Sequence, residues 1–397
     1  MLCTRGNAAL LAAACLTALA ACGGARSDAP PRDDSPVAPT PPTPPPAPAD
    51  PQVAAGAEVY TKYCALCHGP EAKGYAADNA PSLVSRTFLE SADDTFIARS
   101  IELGRPGTAM APYGRDLNGP LTQREIESVV AFLRDKGGVK TAIAPPAPPA
   151  GDAARGKQLY VTMCQTCHGD PSTRSTGVHL ANPTFLALAS DGFLRHAIVF
   201  GRPGTPMEAF ASRLDGNQVA DVIAYMRSWS LPAEPTKPTG PAPVKDGPVV
   251  INPKGKSPTF TARDRRFVPS VQVKDALAKK QKLVIIDARP ESDFVREHIP
   301  GSISVPHYEL AKLDRVPKDV VVVAYCACPH HASGVVVDEL LRRGHKQAYV
   351  LDEGILFWRK QGYPIAGSGA ASGAAGIPTP PPHDHAHHDH AHHGHAH

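Results

Sequence analysis

The chain is 397 residues long, with 42% hydrophobic residues, 20% charged residues and 43 prolines. This length predicts two or three domains, and the uneven placement of the prolines predicts linkers between them. A formal net charge of only +3, without a Lys/Arg run that carries interleaved aromatic residues, excludes a typical nucleic-acid-binding protein.

The N-terminus has the features of an export signal. Arg5 precedes a small apolar run over 8–21, which is too short to span a bilayer. The segment LAACG at 19–23 resembles the lipobox of bacterial lipoproteins, in which the cysteine becomes the lipidated first residue. We therefore expect a signal peptide over 1–21 and a lipid anchor at Cys22; an ordinary signal peptide or an uncleaved anchor is the alternative. Gly23 favours the periplasmic side of the outer membrane in that family.

Proline-rich and low-complexity segments divide the rest of the chain into three compact parts. A composition of Pro, Ala, Asp and Thr cannot bury a core and favours polyproline II, which predicts a stalk near the N-terminus. The expected organisation is a stalk over 22–51, a first domain over 52–140, a second over 151–230, a linker over 231–258, a third domain over 259–367 and a disordered His-rich tail over 368–397. Such linkers predict mobile domains.

The first two domains are copies of one another. Residues 56–69 match residues 156–169 at an offset of 100, and residues 104–110 match residues 201–207 at an offset of 97. The change of offset indicates a tandem duplication with a small deletion in the second copy.

Both copies contain C-x-x-C-H, the attachment motif of c-type haem. Its two thiols bond to the porphyrin vinyl groups, and the adjoining imidazole faces the iron. A zinc site would require four ligands per centre, and a thioredoxin-like C-x-x-C would not require the histidine. The residues of the two motifs are Cys64, Cys67 and His68, and then Cys164, Cys167 and His168.

The second axial ligand is identified by elimination in the first copy. Between Lys62 and Lys157 the sequence contains one methionine, Met110, and one histidine, His68, so Met110 is the expected distal ligand. The second copy offers more candidates, and its match to Met110 favours Met207. The other candidates are Met163, which adjoins a motif cysteine, Met226, which lies in a helical core pattern, and His179 and His196, interpreted as exposed or packed.

Both copies resemble class I cytochrome c domains, over about 51–138 and 151–230. The resemblance covers an N-terminal helix with a glycine and an aromatic residue, the haem motif, the methionine loop and C-terminal helices over 122–135 and 217–229. It implies all-α domains with two covalently bound haem c groups, and electron transfer between periplasmic redox partners, because a saturated iron binds no substrate. In the family a proline carbonyl orients the axial histidine, for which Pro81 and Pro183 are the candidates.

The cysteines that remain unassigned lie in the third domain and indicate a second kind of chemistry there. Of nine cysteines, only Cys326 and Cys328 lie outside the signal segment, the lipobox and the haem motifs. They follow a β-branched run over 320–325, a predicted buried strand, and precede a predicted helix over 332–343. A strand, a tight loop and a helix direct backbone N–H groups at a thiolate, so a cysteine there is a candidate nucleophile.

The third domain resembles the rhodanese domain over about 260–366. The matching pieces are residues 283–289, 294–306, the loop from Cys326, 351–358 and 362–364. The resemblance implies an α/β fold with a parallel sheet, and a sulfur compound as substrate. Cys326 matches the family residue that takes up a sulfane sulfur as a persulfide and passes it to a nucleophile.

The loop after Cys326 departs from the family pattern of Cys, two residues, Gly, one residue and Arg. Pro329 lacks an N–H group, and His331 stands where arginine is usual. Cys328 is a candidate resolving thiol, or a soft-metal ligand together with His330 and His331. Persulfide chemistry, a non-catalytic binding domain and thiol redox or metal chemistry all remain open.

Three further features are ambiguous. Asp287 and Arg289 either position the loop or form an ordinary buried salt bridge. His298 and His307 are interpreted as structural. Nine histidines over 383–397 bind transition metals loosely without specifying an ordered site.

The rival hypotheses for the whole chain are therefore a sulfur-handling dihaem cytochrome, an electron carrier with a docking module, and a metal-handling protein.

Overall fold

The computed structural model describes residues 50–229, 247–327 and 330–368. The predicted signal peptide, Cys22, nearly all of the stalk, the His-rich tail after Ser368, Cys328 and Pro329 lie outside these ranges. Among the described residues, no helix combines the length and apolar character needed to cross a membrane.

Residues 50–229 form two successive sets of helices in the same order. The first set is α1 (Pro51–Tyr63), α2 (Ala65–His68), α3 (Arg86–Ser91), α4 (Asp94–Leu103) and α5 (Gln123–Gly137), with a 3₁₀ turn over Arg115–Leu117. The second set is α6 (Ala153–Met163), α7 (Gln165–His168), α8 (Pro183–Leu188), α9 (Asp191–Phe200) and α10 (Gly216–Arg227).

Helix capping explains where the last helix of each set begins. Thr122 and Glu125 form a reciprocal capping box at the start of α5, and Asp215 and Gln218 form another at the start of α10. Within each set the first helix packs across the last, α1 on α5 and α6 on α10. The two sets share one hydrophobic core cluster, which includes the buried Met226.

The two helical repeats pack against each other through equivalent residues. Phe96 and Phe193, which are 97 positions apart, contact each other with 4.7 Å between their ring centroids. Arg105 lies 5.8 Å from the ring centroid of Phe185, and its counterpart Arg202 lies 5.8 Å from that of Phe88. This reciprocity is the arrangement of a two-fold symmetric dimer built within one chain. The linkers predict mobile domains, but this shared core holds the two repeats together.

The C-terminal part of the described chain is an α/β domain with a parallel sheet. Its strands are β1 (Phe267–Val268), β2 (Val284–Asp287), β3 (Ile303–Ser304), β4 (Val322–Tyr325) and β5 (Ala348–Leu351), in the order β1-β5-β4-β2-β3. Its helices are α11 (Ser270–Ala278), α12 (Glu291–Arg296), α13 (Ala332–Arg342) and α14 (Gly354–Lys360), with a 3₁₀ segment over Leu310–Arg315. This confirms the expected fold class of two all-α domains followed by an α/β domain.

Alternate residues of the central strands enter two cores on opposite faces of the sheet. Ile286 and Val322 face one cluster, which includes residues of α13, while Ile285 and Val323 face the other, which includes residues of α11 and α14. Ile251 forms an antiparallel bridge to Leu283, so chain within the segment expected as a linker packs on this sheet. The carboxyl ends of β2 and β4 lie side by side and define one edge of the sheet.

Candidate functional site

A single helical turn presents the first C-x-x-C-H motif. Cys64 ends α1, donating its backbone N–H to Tyr60 O, and α2 then places Cys67 and His68 one turn further on. The hydroxyl of Tyr60 donates to the carbonyl oxygen of Gly69 at 2.7 Å, and Tyr160 makes the same bond to Gly169 at 2.8 Å in the second repeat. The two tyrosines thus anchor the end of each motif.

A backbone carbonyl fixes the tautomer of each motif histidine. Nδ1 of His68 lies 2.9 Å from the carbonyl oxygen of Pro81. Because a carbonyl oxygen only accepts hydrogen bonds, Nδ1 carries the proton and Nε2 keeps a lone pair for a metal. The Pro81 prediction is therefore confirmed. Burial lowers the pKa of His68, which also favours the neutral ligating form.

The corresponding prediction for Pro183 is wrong. Nδ1 of His168 bonds instead to the carbonyl oxygen of Val178 at 2.8 Å, and Pro183 is the first residue of α8. Val178 lies 97 positions after Pro81, the same offset that relates Met110 to Met207. The deletion in the second repeat therefore lies between His168 and Val178, and applying the shorter offset would have identified Val178 from the sequence.

The two methionines lie on loops with the same hydrogen bonds. Met110 N donates to Thr108 Oγ1 at 3.1 Å, and Met207 N donates to Thr205 Oγ1 at 3.2 Å. The Met110 carbonyl oxygen accepts from Arg105 N, and that of Met207 accepts from Arg202 N, at 2.7 Å in both cases. The other candidates are accounted for as packed residues: Met226 lies in the core, His179 Nε2 is 3.2 Å from Asp170 O, and His196 is buried.

These donor sets fit covalently bound haem c. Each repeat offers two thiols on a helical turn, an imidazole whose Nε2 remains available, and a thioether on a matching loop. No cluster of three or more His, Cys, Asp or Glu side chains suited to a metal ion is present in the described ranges.

Cys326 directly follows β4 and is 4% exposed. Its Sγ lies 3.2 Å from Ser333 Oγ near the start of α13, and its carbonyl oxygen accepts from Ile355 N at 3.0 Å. A Cβ on Gly354 would come within 2.8 Å of Ala327 O, so only glycine permits this close approach of α14 to the loop. The predicted strand, loop and helix around Cys326 are thus observed.

His330, near the end of the loop that follows Cys326, is held by a contact with Asp352 that the sequence did not predict. His330 has a positive φ of 81°, its Nε2 lies 2.8 Å from Asp352 Oδ1, and its ring lies 4.0 Å from that of Phe267. Arg263 also binds Asp352, at 2.7 Å. His331 is the residue immediately before α13. Because Asp352 and Arg263 lie far from His330 in the sequence, no local pattern signalled this clamp.

Asp287 and Arg289 form a buried ion pair. Arg289 Nη2 lies 2.7 Å from Asp287 Oδ2 and also donates to Glu297 O at 2.5 Å. This contact joins the end of β2 to the end of α12. His298 is likewise structural, with Nδ1 2.7 Å from Phe294 O and its ring stacked on Phe294.

The first helical repeat covers the sheet edge that carries Cys326. The hydroxyl of Ser292 donates to the carbonyl oxygen of Pro112 at 2.6 Å, and the rings of Tyr63 and Tyr308 lie 4.7 Å apart. Burial raises the pKa of the Cys67 thiol to about 12, and the nearby Cys326 thiol adds to this rise. The first C-x-x-C-H motif and the candidate nucleophile therefore lie within range of each other's charge.

Comparison with known families agrees with these geometries. The family described as cytochrome C oxidase, cbb3-type, subunit III matches residues 51–133 and 151–226, and the rhodanese-like domain family matches residues 270–361. The chain carries two cytochrome c domains followed by a rhodanese-like domain. Its cytochrome c domains imply covalently bound haem c and electron transfer.

The relatives of the cytochrome c domains are oxidase subunits. A cbb3-type cytochrome c oxidase subunit CcoP from Azospirillum sp. (strain B510) is 28% identical over 194 residues, which are 44% of this chain and 62% of the relative. A subunit FixP from Bradyrhizobium sp. (strain ORS 278) is 30% identical over 193 residues, 45% of this chain and 63% of the relative. The chain thus spans less than two thirds of either relative.

Among solved structures, the rhodanese-like domain of an Anabaena sp. protein is similar to part of this chain. The similarity covers 32% of this chain and 96% of that one, with 22% sequence identity and a TM-score of 0.26.

Proposed function

We propose that this protein is an exported dihaem c-type cytochrome that carries electrons, coupled to a rhodanese-like domain that handles sulfane sulfur through a persulfide at Cys326. The observation that carries this proposal is the contact of the first cytochrome c domain with the sheet edge that carries Cys326, within range of a charge interaction with Cys67. The Ser292–Pro112 and Tyr63–Tyr308 contacts hold the two modules together at this edge.

Each cytochrome c domain would hold one haem. Cys64 and Cys67 would form the thioether bonds of the first, with His68 and Met110 as axial ligands of the iron. In the second, the corresponding residues are Cys164, Cys167, His168 and Met207. Bound haem supplies a one-electron Fe(III)/Fe(II) couple, and two filled axial positions leave no site for substrate at the iron.

The rhodanese-like domain would supply the sulfur chemistry. The Cys326 thiolate attacks the outer sulfur of a donor such as thiosulfate; a new S–S bond forms, the S–S bond of the donor breaks, and sulfite leaves with the electron pair. Cys326 is left as a persulfide, and electrons and charge balance. Support comes from Ser333, whose hydroxyl lies 3.2 Å from the thiol, and from the adjoining start of α13. Cys328 would act as a resolving thiol, and His331 would take the place of the usual arginine.

The proposed location and partners rest on features of the sequence. The lipobox at Cys22 supports lipid anchoring on the periplasmic side of a bacterial membrane, with the outer membrane favoured by Gly23. Periplasmic redox proteins would be the electron donor and acceptor. The histidines over 383–397 would bind transition metals loosely.

A second candidate function is electron transfer alone, with the rhodanese-like domain as a docking module. The exposure of Cys326, only 4%, favours it, because a buried thiol is poorly placed to meet a substrate. Pro329 also removes one N–H group from the loop that would stabilise a thiolate.

Anaerobic visible spectroscopy separates the two candidates. Polysulfide or thiosulfate is added to the oxidised holoprotein, and haem reduction is followed in the parent and in Cys326→Ser. The proposal predicts fast reduction that Cys326→Ser abolishes, because the Cys326 persulfide and the Cys328 thiolate would join in a trisulfide and release two electrons, one to each ferric haem. For Ser333→Ala we expect a rate of haem reduction between those of the parent and Cys326→Ser. This variant removes the hydroxyl beside the thiol and keeps the thiol. Equal rates in the parent and in Cys326→Ser would leave the chain as an electron carrier only.

A further inference from the structure

The rhodanese-like domain contacts the loop that carries the first proposed methionine ligand. The hydroxyl of Ser292, in α12, donates to the carbonyl oxygen of Pro112 at 2.6 Å, across 180 positions of the chain. Pro112 is the second residue after Met110. Ser292 is 4% exposed and Pro112 is also buried, so water does not compete for this hydrogen bond.

Ser292 lies on a well-supported part of its own domain. The next residue, Asp293, is 1% exposed and pairs with Arg289 at 3.5 Å and with Arg296 at 2.6 Å. Arg289 is in turn paired with Asp287 at the end of β2. Because these charged groups pair with one another, α12 is held against the sheet, and a loop bonded to Ser292 has a fixed support.

The methionine loops of the two repeats share the same backbone anchor. Tyr113 donates its N–H to Ile101 O at 3.0 Å, and its counterpart Phe210, 97 positions later, donates to Ile198 O at 3.0 Å. The two loops are therefore closely matched in their own hydrogen bonds, and each serves as a reference for the other.

The two loops differ in what covers them. Between the methionine and the shared anchor, the first loop has Ala111, which is 1% exposed, and Pro112, which is buried. The second loop has Glu208, whose side chain is 68% exposed, and the exposed Ala209. The bond from Ser292 thus covers a segment whose counterpart in the second repeat is open to solvent.

We propose that Ser292 is a positioning residue for the first haem, and that its bond to Pro112 keeps Met110 on the iron. This inference rests on the proposed function, in which Met110 and Met207 are axial ligands, and deepens it by making the two haems unequal. A methionine leaves the iron only when its loop opens, and an added buried hydrogen bond makes opening rarer. The rhodanese-like domain therefore slows ligand exchange at the first haem and not at the second.

Hydrogen exchange tests the hold on the loop without reference to the iron. It is followed by mass spectrometry over 109–114 and 206–211 in the full-length holoprotein of the parent, Ser292→Ala and Ser270→Ala. Ser270 is the matched control, because it is 0% exposed and its hydroxyl donates to Glu353 within its own domain at 2.7 Å. We expect Ser292→Ala to speed exchange over 109–114 by about fivefold or more and to leave 206–211 unchanged. Ser270→Ala should leave both segments unchanged.

Imidazole binding to the oxidised haems tests the effect on Met110. It is measured in a Met207→Ala background, where the second haem has no methionine to displace, so the slow phase reports Met110 alone. We expect Ser292→Ala to raise the rate of this phase by about fivefold or more, because the loop opens more often. Ser270→Ala should keep the rate of the background protein.

Equal exchange over 109–114 in the parent and in Ser292→Ala would overturn the inference, and so would equal rates of imidazole binding. An equal effect of Ser270→Ala would also overturn it, since that would indicate general destabilisation of the rhodanese-like domain. Absence of a slow phase in Met207→Ala would contradict Met110 as a ligand and the inference with it. Neither measurement uses a sulfur compound, so a failure of persulfide formation at Cys326 would count against the proposed function alone.

Discussion

Gly156 in α6 lies against the backbone of Asp221 in α10, so closely that a Cβ on residue 156 would come within 1.9 Å of the Asp221 carbonyl oxygen. The first cytochrome c domain repeats this contact, with a Cβ on Gly56 at 1.9 Å from Ser128 O. Since backbone atoms cannot move away as a flexible side chain can, these glycines determine how closely the first and last helices of each domain cross.

We predict that Gly156→Ala destabilises the second cytochrome c domain. Alanine normally stabilises a helix interior by about 1 kcal/mol over glycine, but overpacking against the backbone costs about 1–3 kcal/mol or more and reverses the sign. Denaturant unfolding of the holoprotein measures the change. Gly216→Ala, in α10, is the control, because a Cβ there meets nothing within 4 Å. Equal stability of Gly156→Ala and the parent would show that the helices separate without cost.

The proposed axial ligands are tested by carbon monoxide binding to the reduced holoprotein. Carbon monoxide binds ferrous haem where an axial position is open, so the parent is expected to bind none. Met110→Ala and Met207→Ala should each bind one equivalent per chain, and the double variant two. Met226→Leu, which changes a methionine that is 2% exposed in the core, should bind none. Binding in the parent, or none in a single variant, would refute the ligand assignment.

The interface between the cytochrome c domains depends on Phe193, which contacts Phe88 and Phe96 of the first domain. We expect Phe193→Ala to lower the free energy of unfolding by about 3–5 kcal/mol, because it removes a buried aromatic side chain. The loss should be visible in both domains in guanidinium unfolding. Phe200→Ala, at a position that is 50% exposed, should cost under about 1 kcal/mol. Similar losses in the two variants would argue against a shared core.

A pH effect is expected at Asp352. Its burial, which acts to raise the pKa, is outweighed by hydrogen bonds from Arg263 and His330, so the pKa lies below the ordinary value of 3.8. A carboxylate with a lowered pKa stabilises the fold fully above that ordinary value and loses the effect as pH falls through its folded pKa. Asp352→Asn should therefore cost about 1–3 kcal/mol at pH 7, and the difference from the parent should shrink below pH 3.8.

The control for this effect is Asp264→Asn. Asp264 also binds Arg263, at 2.9 Å, but its side chain is 69% exposed, so we expect a change under about 0.5 kcal/mol. Urea unfolding at several pH values provides the comparison. A constant difference between the parent and Asp352→Asn from pH 7 to pH 3 would mean that the carboxylate charge does not stabilise the loop.

Much of the local structure was predictable from the sequence. The expected strand over 320–325 is observed as Val322–Tyr325, and the helix over 332–343 as Ala332–Arg342. Met226 lies in the core, as its helical spacing indicated. These features depend on periodicity within a short segment, which a sequence displays directly. The carbonyl that orients His168 was missed, because the offset between the repeats changes within the loop that supplies it.

The sequence by itself determined the duplication, the C-x-x-C-H motifs and the two domain families, since each depends on residues that lie close together in the chain. Only the tertiary structure decided which surfaces meet. It paired Phe96 with Phe193 and His330 with Asp352, and it brought the first C-x-x-C-H motif within range of the charge on Cys326. These relationships join residues far apart in sequence through packing and exclusion of water, for which no local pattern exists.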